Sequence, residues 1–341
     1  MIARFAIPFF LLMALIVVPA VLALLFRYVL PRKVWRRTTI ACTIIIWVLT
    51  GYGFLFGFQQ LEVHQIEYAS EDLPEAFDGY RIVQFSDAHV GTMTGSRQWM
   101  VQRAIDSINA QHADAVVFTG DMQNIWPEEL PPQTEYFRQL KAKDGVFAVL
   151  GNHDYAVYQN VHIAHKEKNC QKTISAIRQM GFDLLLNEHR IIRRDSDSIV
   201  IAGMENWGIT KRMPRKGDVN KTLSGLGHPS LLLPPKGRSV ARIGEGLGER
   251  LPFIVMLQHD PTCWREKILP ECKAQLTLSG HTHGGQISLL GWSPVSMSYK
   301  EWGGMTYEGS RAIYVSTGLG ALIPFRLGLP GEIVVITLKK K

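Results

Sequence analysis

Hydrophobic positions are concentrated at the start of the chain and recur in shorter runs along the rest of it. Residues Phe5 to Phe26 include no charged side chain over 22 positions, and Thr38 to Phe58 include none over 21. About 20 apolar residues in a helix cross the hydrocarbon core of a bilayer. The pattern therefore predicts a membrane anchor with two transmembrane helices over residues 1–60. A cleaved signal peptide is the alternative for the first run, although its apolar region is normally only about 7 to 15 residues long.

Beyond residue 60, short apolar or β-branched runs alternate with amphipathic stretches, which predict helices at about 97–111, 132–141 and 170–180. The apolar runs predict buried strands at residues 80–86, 114–120, 145–151, 253–259, 274–280, 312–318 and 332–338. This alternation predicts a layered α/β domain over residues 61–341, with ligands bound at the carboxyl ends of strands. Residues 211–250 are rich in Gly, Pro and basic side chains, so we predict an insertion or flexible loop near the site.

Basic residues lie between the two predicted membrane helices. This loop contains no acid, and its basic side chains are Arg27, Arg32, Lys33, Arg36 and Arg37. The positive-inside rule places such a loop in the cytoplasm, so the domain after residue 60 is predicted to be extracytoplasmic, at an inner or plasma membrane. The arginine pair could instead be a twin-arginine export signal, and that alternative also exports the domain.

The overall charge does not indicate a nucleic-acid partner. The chain has a formal net charge of +7, but the first sixty residues contain six basic and no acidic side chains, which leaves +1 for the rest. A nearly neutral domain lacks the basic stripe that binds phosphate backbones. We therefore expect no nucleic acid among its partners.

The four cysteines, Cys42, Cys170, Cys263 and Cys272, show no CxxC spacing and do not predict a zinc site. Cys263 and Cys272 could form a disulfide in an oxidising compartment. Two buried thiols are the alternative, and the sequence favours neither.

Polar side chains follow five of the predicted strands. They are Asp87 and His89 after the first, Asp121 after the second, Asn152, His153 and Asp154 after the third, then His259, and finally His281 and His283. Carboxylates, carboxamides and imidazoles are ligands of Mn²⁺, Zn²⁺ and Fe. Residues i and i+2 of an extended segment project the same way, so the members of each D-x-H or H-x-H pair could face one volume. Neighbouring glycines would let the backbone approach closely or take positive φ.

Two cations about 3.5 to 4 Å apart need a carboxylate between them, and Asp121 and Asp87 are the candidates. The two histidines of the late motif are then ligands, one to each metal, or one ligand and one neighbour held by a carbonyl. A lone Asp after a strand is more usually a helix cap, and a lone His is more usually structural. Five such clusters in this order would rarely arise by chance.

The order D-x-H, G-D, G-N-H-D, a single His and G-H-T-H resembles the signature of the calcineurin-like metallophosphoesterases. The stretch "GHTHGGQ" is similar to their membrane-associated bacterial branch, and the resemblance covers roughly residues 78–340. It implies a four-layer α/β/β/α sandwich with a dinuclear metal centre at the strand ends. One departure is Asn124, where many relatives have an aspartate that does not bind metal.

The resemblance also implies roles for the polar residues. One metal would be held by Asp87, His89, Asp121 and His283, and the other by Asp121, Asn152, His259 and His281. Asp121 would bridge the two metals. His153 would contact the phosphoryl oxygens and protonate the leaving alkoxide, and Asp154 would orient it.

These expectations combine into a phosphoesterase, most simply a phosphodiesterase, that uses hydroxide generated at two divalent ions (Mn²⁺, Zn²⁺ or Fe). A membrane tether, together with Trp207, Trp264, Trp292 and Trp302 in late loops, favours a lipid-linked phosphate ester, unless these tryptophans are core residues. A non-catalytic receptor or scaffold with the same fold is one alternative. A dinucleotide-dependent oxidoreductase is another, suggested by "GEGLGE" (244–249) or "GLGALI" (318–323), although neither has the full glycine spacing between a strand and a helix.

Overall fold

The computed structural model describes residues 9–226 and 252–341. Two helical stretches open it, Phe9–Val29 and Arg32–Gln59, and both are long and apolar enough to cross a membrane. The first contains a π-helical turn, Met13–Val17, and then α1, Val18–Val29; the second contains α2, Arg32–Leu55. The break between them has a local cause, because the residue before a proline is disfavoured in the helical region and Leu30 is extended before Pro31.

Twelve strands and five further α-helices follow within the described residues. The strands are β1 Leu61–Ser70, β2 Arg81–Phe85, β3 Ala115–Phe118, β4 Gly145–Ala148, β5 Asp183–Leu184, β6 Glu188–Arg194, β7 Asp197–Gly203, β8 Phe253–Leu257, β9 Leu276–Ser279, β10 Gly304–Glu308, β11 Arg311–Val315 and β12 Gly331–Lys340. The helices are α3 Trp99–Asn109, α4 Thr134–Phe137, α5 Ile163–Gln179, α6 Val219–Thr222 and α7 Leu269–Glu271.

The strands form two six-stranded sheets, in the orders β1-β12-β2-β3-β4-β5 and β10-β11-β9-β8-β7-β6. Alternate residues of the strands enter different cores: Ile82 and Val117 lie between the two sheets, whereas Val83 and Val116 pack against α3 and α5. A third core lies on the outer face of the second sheet and contains Trp264. The predicted four-layer α/β/β/α sandwich is confirmed, with two apolar helices before it.

All seven predicted strands are present, and most end a few residues earlier than predicted because the ligand loops begin there. Five strands were not predicted: β1, β5, β6, β7 and β10. Of the predicted helices, 97–111 corresponds to α3 and 170–180 is the second half of α5. Only the four residues of α4, preceded by a 3₁₀ turn, form within 132–141. The domain division at residue 60 stays a prediction, and most of the predicted insertion 211–250 lies outside the described residues.

The cysteines and tryptophans resolve the alternatives that the sequence left open. All four cysteines lie in the described residues and are free, and Cys263 and Cys272 are buried thiols. Among the four late tryptophans, Trp264 is fully buried, whereas Trp292 is exposed. The core interpretation is therefore correct for Trp264 and wrong for Trp292.

The register of the first sheet fixes where the strand ends lie relative to the apolar helices. Strand β1 begins at Leu61, just after the second helical stretch ends, and pairs in parallel with β12 so that Leu61 faces Gly331. Strand β12 is antiparallel to β2, with Val334 facing Gln84. The start of β1 and the carboxyl end of β2 therefore lie at the same edge of the sheet. The predicted ligands are at the end of the domain that adjoins the apolar helices.

Candidate metal centre

The loops after β2, β3, β4, β8 and β9 bring all nine predicted site residues to one buried cluster. The side chains of Asp87, His89 and His259 are fully buried, and Asp121 and Asn152 are about 1% exposed. Charged and imidazole groups are rarely buried together unless they bind one another or a metal. The burial of these side chains together therefore indicates a preformed binding site.

The backbone of the ligand loops differs from the extended segments that we expected. Five of the predicted ligands have left-handed φ: Asp87 (52°), His89 (40°), Asp121 (63°), His281 (74°) and His283 (52°). The i, i+2 argument is therefore wrong, because the strands end at Phe85 and Ser279, before the ligands begin. Left-handed backbone costs a residue with a β-carbon roughly 1–2 kcal/mol. Such strain persists where surrounding contacts fix it, and it is concentrated at functional sites.

Two glycines make room for the carboxylates. A β-carbon on Gly280 would lie 2.2 Å from Asp87 Oδ2, and one on Gly151 would lie 2.1 Å from Asp121 Oδ1. The backbone at these positions approaches the ligands too closely for any other residue. The expected role of glycines beside the ligands is confirmed at both positions.

We call Asp87, His89, Asp121 and His283 the first ligand group. The Nε2 atoms of His89 and His283 are 3.0 Å apart, and His283 Nε2 is 3.3 Å from Asp87 Oδ1. Asp121 Oδ2 lies 3.7 Å from His89 Nε2. Burial lowers the pKa of both histidines well below its usual value, so both rings are neutral and can present a lone pair.

We call Asp121, Asn152, His259 and His281 the second ligand group. His259 Nε2 lies 3.2 Å from Asp121 Oδ2, 3.1 Å from Asn152 Oδ1 and 3.2 Å from His281 Nδ1. The other ring nitrogen of His259 is 2.8 Å from the carbonyl oxygen of Thr119, to which it donates. In the neutral ring, that bond places the proton on Nδ1 and leaves the Nε2 lone pair facing the group, as in histidines that ligate metals.

Donor separations between 3.0 and 3.9 Å are those left by ligands that each lie about 2.0–2.2 Å from a shared cation. Asp121 Oδ2 belongs to both groups. Burial lowers the pKa of His259, but the nearby Asp121 carboxylate outweighs this and raises it to about 10. The site thus attracts positive charge beside Asp121, and the residues present fit a divalent cation in each group.

His153 lies beside the first group, with its ring centroid 4.7 Å from that of His89. Its Nδ1 donates to the carbonyl oxygen of Asn124 in a short hydrogen bond. Burial lowers the pKa of this imidazole. Asn124, where many relatives have an aspartate, therefore orients His153 through its backbone carbonyl. A different side chain at this position leaves that hydrogen bond intact.

Asp154 does not make the orienting contact that we expected. Its carboxylate accepts hydrogen bonds from the backbone amides of Asp121 (2.9 Å), Met122 (3.0 Å) and Gly151 (2.9 Å). With a longer bond of 3.3 Å from the Gln123 amide, four amides from two ligand loops satisfy its oxygens, so Asp154 is not available to the His153 ring. Its role is to fix the loop that carries Asp121, and the predicted orientation of His153 by Asp154 is corrected.

Three residues outside the predicted set contact the candidate ligands or continue the loops that carry them. Tyr299 OH lies 3.0 Å from His281 Nε2, and Tyr158 OH accepts a hydrogen bond of 3.2 Å from Asn152 Nδ2. Gln286, the last residue of the late motif, accepts from the amide of Leu322 (3.0 Å) and donates to the carbonyl of Phe325 (2.6 Å). Only Gln286 carried a sequence signal, because it completes the motif.

The family model of the calcineurin-like phosphoesterases matches residues 80–285, more than half of the chain. The chain is a calcineurin-like phosphoesterase. The uncharacterized metallophosphoesterase YkuE of Bacillus subtilis (strain 168) is 31% identical to this phosphoesterase over 303 residues, covering 85% of this chain and 90% of that protein. These matches place it among the metal-dependent hydrolases of phosphoric ester bonds.

Two further relatives of this phosphoesterase are named for a membrane or a lipid. A transmembrane protein with a metallophosphoesterase domain from Danio rerio is 29% identical over 308 residues; the match covers 89% of this chain and 63% of that protein. The UDP-2,3-diacylglucosamine pyrophosphatase LpxG of Chlamydia trachomatis is 25% identical over 353 residues, covering 88% of this chain and 94% of that protein.

The oxidoreductase alternative is not supported. Residues 318–323 join β11 to β12 and therefore do not open a helix after a strand, as a dinucleotide-binding turn does. Residues 244–249 lie outside the described residues.

Proposed function

We propose that this protein is a phosphodiesterase that uses two divalent metal ions and acts on a phosphate ester, in particular a lipid-linked one, at a membrane surface. The observation that carries the proposal is the pair of ligand groups sharing Asp121, at the end of the sheets that adjoins the apolar helices. We further propose that these helices span an inner or plasma membrane with the basic loop in the cytoplasm and the catalytic domain outside.

The donor set favours Mn²⁺, Zn²⁺ or Fe, because it mixes imidazole with carboxylate and carboxamide oxygens. When bound, two such ions supply Lewis acidity that neutralises phosphoryl oxygens and lowers the pKa of water to about 7. The chain contributes the geometry: Asp121 lies between the groups, and the buried, neutral rings of His89 and His283 complete the first group. Asp154 holds the Asp121 loop in place through backbone amides.

His153 is the proposed general acid. Because its Nδ1–H donates to the Asn124 carbonyl, Nε2 is the atom that can deliver a proton to the departing alkoxide. Burial lowers the pKa of this ring, and an anionic phosphoryl group beside it would act in the opposite direction. The binding of substrate would therefore favour the protonated form when it is needed.

The proximity of the site to the apolar helices supports a lipid-linked substrate. Gln286 holds the segment that contains Phe325, and the Phe325 ring lies 4.6 Å from Phe10 and 5.2 Å from Phe54, measured between centroids. Phe10 and Phe54 belong to the two apolar helical stretches. The Chlamydia relative, named as a pyrophosphatase of a diacylated sugar nucleotide, is consistent with this substrate class.

A cavity of about 730 Å³ lies beside the second ligand group and is proposed to receive the rest of the ester. The Tyr158 ring that lines it is 4.4 Å from the His153 ring. The Arg212 guanidinium lies 4.7 Å above Tyr158, and the Lys216 ammonium lies 4.9 Å above the Tyr155 ring. This combination of aromatic faces and cations favours a substituent with an apolar part and a negative charge of its own.

The test is hydrolysis of bis(p-nitrophenyl) phosphate and p-nitrophenyl phosphate by the detergent-solubilised protein, stripped of metal and reloaded with Mn²⁺, Zn²⁺ or Fe²⁺. We expect metal-dependent cleavage of the diester, with about two ions bound per chain. Absence of cleavage despite two bound ions would contradict the proposed function and favour the receptor alternative.

A further inference from the structure

A short hairpin extends from the late motif directly after Gln286. Its tip, Leu289 to Trp292, is closed by two backbone hydrogen bonds between these residues, of 2.8 and 3.0 Å. The two central residues, Leu290 and Gly291, have φ of 51° and 80°, as in a type I′ turn. We call these four residues the hairpin tip.

The residues of the hairpin tip are unusual both for a left-handed turn and for an exposed position. The first left-handed position of such a turn normally holds Asn, Asp or Gly, and here it holds Leu290. The Leu290 side chain is 100% exposed, Leu289 is 70% exposed and Trp292 is 54% exposed. No packing among the described residues offsets the strain at Leu290. A contact with something outside these residues would explain why a leucine is kept at this position.

The hairpin tip lies next to the segment that contacts the apolar helices. The amide of Ser288 donates to the carbonyl of Leu327 at 2.8 Å, and Ile287 pairs with Leu327 as a β-bridge. Leu327 is two residues after Phe325, which packs against Phe10 and Phe54. The exposed apolar surface of the tip is therefore continuous with the surface from which the apolar helices emerge.

Other exposed apolar side chains lie on the segments joined to the hairpin. Leu322, which is 43% exposed, is held by Gln286, and Met297, which is 82% exposed, follows the tip. Contiguous exposed apolar groups mark protein or membrane contacts, and tryptophan favours the interfacial zone of a bilayer. Continuity with the apolar helices favours the bilayer over a protein partner.

We propose that the hairpin tip inserts into the outer interface of the bilayer and forms a third membrane contact beside the two transmembrane helices. Since Gln286 connects the tip to the ligand loops, this contact would hold the mouth of the site against the lipid headgroups. The inference rests on the proposed span of the two helices and requires no catalytic activity.

The test uses the full chain in vesicles of phosphatidylcholine and phosphatidylglycerol. Cys42→Ser removes the partly exposed native thiol, and the other cysteines are buried, so Leu290→Cys supplies the accessible thiol for a fluorescent label. The matched control is Ser196→Cys, an exposed position in the β6–β7 turn at the opposite end of the sheets. Nitroxide lipids labelled near the headgroup serve as the quencher.

We expect quenching at residue 290 to exceed that at residue 196 several-fold. Equal quenching at the two positions would overturn the proposal. Protection of residue 290 from aqueous iodide in detergent, without a lipid effect, would also overturn it and would indicate a protein cover such as a second copy of the chain.

A second variant separates this inference from folding and from the proposed function. Leu290→Asn removes the apolar group but suits the left-handed turn, so we expect an unchanged or higher Tm and unchanged cleavage of the soluble diester. In a protein labelled at Leu289→Cys, the same substitution should weaken the quenching of the label by nitroxide lipids. Unchanged quenching would contradict insertion, whereas loss of diester cleavage in the parent protein would contradict only the proposed function.

Discussion

The two ligand groups reach similar donor spacings by different means. In the second group, the nitrogen that does not face the donors is engaged in each histidine: His259 Nδ1 donates to the Thr119 carbonyl, and His281 Nε2 lies 3.0 Å from Tyr299 OH. In the first group, the Nδ1 atoms of His89 and His283 have no hydrogen-bond partner among the described residues. The histidines of the second group are therefore preoriented by hydrogen bonds from the protein, whereas those of the first group lack such bonds and depend more on the bound ion.

The largest effect should come from the residue that the groups share. Asp121→Ala removes the only carboxylate proposed to lie between the ions, so we expect both ions to be lost and kcat/KM on the diester to fall about a thousandfold or more. Metal content by mass spectrometry and initial rates measure the two effects. Retention of one ion at full affinity would show that the two groups are independent and that Asp121 is not shared.

A matched control for this change lies at the other end of the same strand. Asp114 precedes β3, is buried like Asp121, and binds Lys143 Nζ at 2.9 Å and the amide of Arg81 at 2.8 Å. Asp114→Ala removes a buried carboxylate 7 positions earlier without touching either ligand group. We expect it to lower stability and to leave the metal content unchanged.

His153 belongs to neither group, and its replacement tests that assignment. His153→Ala should lower kcat by about 10²- to 10⁴-fold, the usual contribution of a general acid, with metal content and KM little changed. His165→Ala, an exposed histidine on α5, is the control and should behave like the parent. Loss of an ion in His153→Ala would make this residue a ligand and would change the membership of the first group.

The difference between the groups shows how far the sequence alone can predict such a site. The clustering of the candidate ligands was predictable, because Asp87, His89, His281 and His283 follow directly after apolar runs that predict strands, and that order is a local feature of the sequence. The contact of Tyr299 with His281 was not predictable, because it depends on the path of an irregular loop between two distant elements. The left-handed backbone was also hidden, since the residues concerned are not glycines.

The orientation of the site towards the apolar helices depends on strand pairing over a long sequence distance. Strand β1 was not predicted, and its partner β12 lies 270 residues further along the chain, Leu61 facing Gly331. Sequence patterns indicated a tether and a site separately. Their adjacency required the parallel β1–β12 pair and the antiparallel β12–β2 pair.

Tyr299→Phe removes the hydroxyl that lies beside His281 Nε2 in the second group. Loss of an orienting partner typically lowers metal affinity by about 10- to 100-fold. We therefore expect a chelator to remove one ion from the variant at a lower concentration than from the parent, while the other ion is retained as before. Tyr307→Phe, an exposed tyrosine at the far end of the sheets, is the control. Equal weakening of both ions would mean that the preorientation is not confined to the second group.

A smaller effect is expected at the cavity beside the second group. Arg212→Gln removes a guanidinium that stacks on Tyr158, so KM should rise about two- to five-fold for diesters with a second negative charge, consistent with a partly exposed ion pair. Esters without that charge should be unaffected. Lys211→Gln, an exposed neighbour that does not line the cavity, is the control. Equal effects of the two variants would indicate general charge attraction rather than a specific contact.

The smallest effect is expected from the contacts that hold the loop next to the first group. The buried Glu332 carboxylate accepts from Ser316 Oγ at 2.9 Å and from the amide of Thr317 at 2.7 Å, in the loop that passes Asp87 and His283 at Gly318. The hydrogen bond with Glu332 raises the pKa of His64 to about 9 from 6.5. Burial opposes ionisation of Glu332, but the hydrogen bond with His64 and the Thr317 amide outweigh it and lower its pKa.

The sign of the pH effect follows from the raised pKa of His64. The folded protein holds this proton more tightly than the unfolded chain, so the contribution to stability is complete below pH 6.5 and is lost as pH rises through about 9. His64 is 47% exposed, so solvent screening should limit the change in Tm to about 2 °C. The difference between the Tm curves of the parent and His64→Gln, measured at saturating metal, should therefore shrink between pH 6.5 and 9. A constant difference across this pH range would mean that His64 supports Glu332 only as a neutral hydrogen-bond donor.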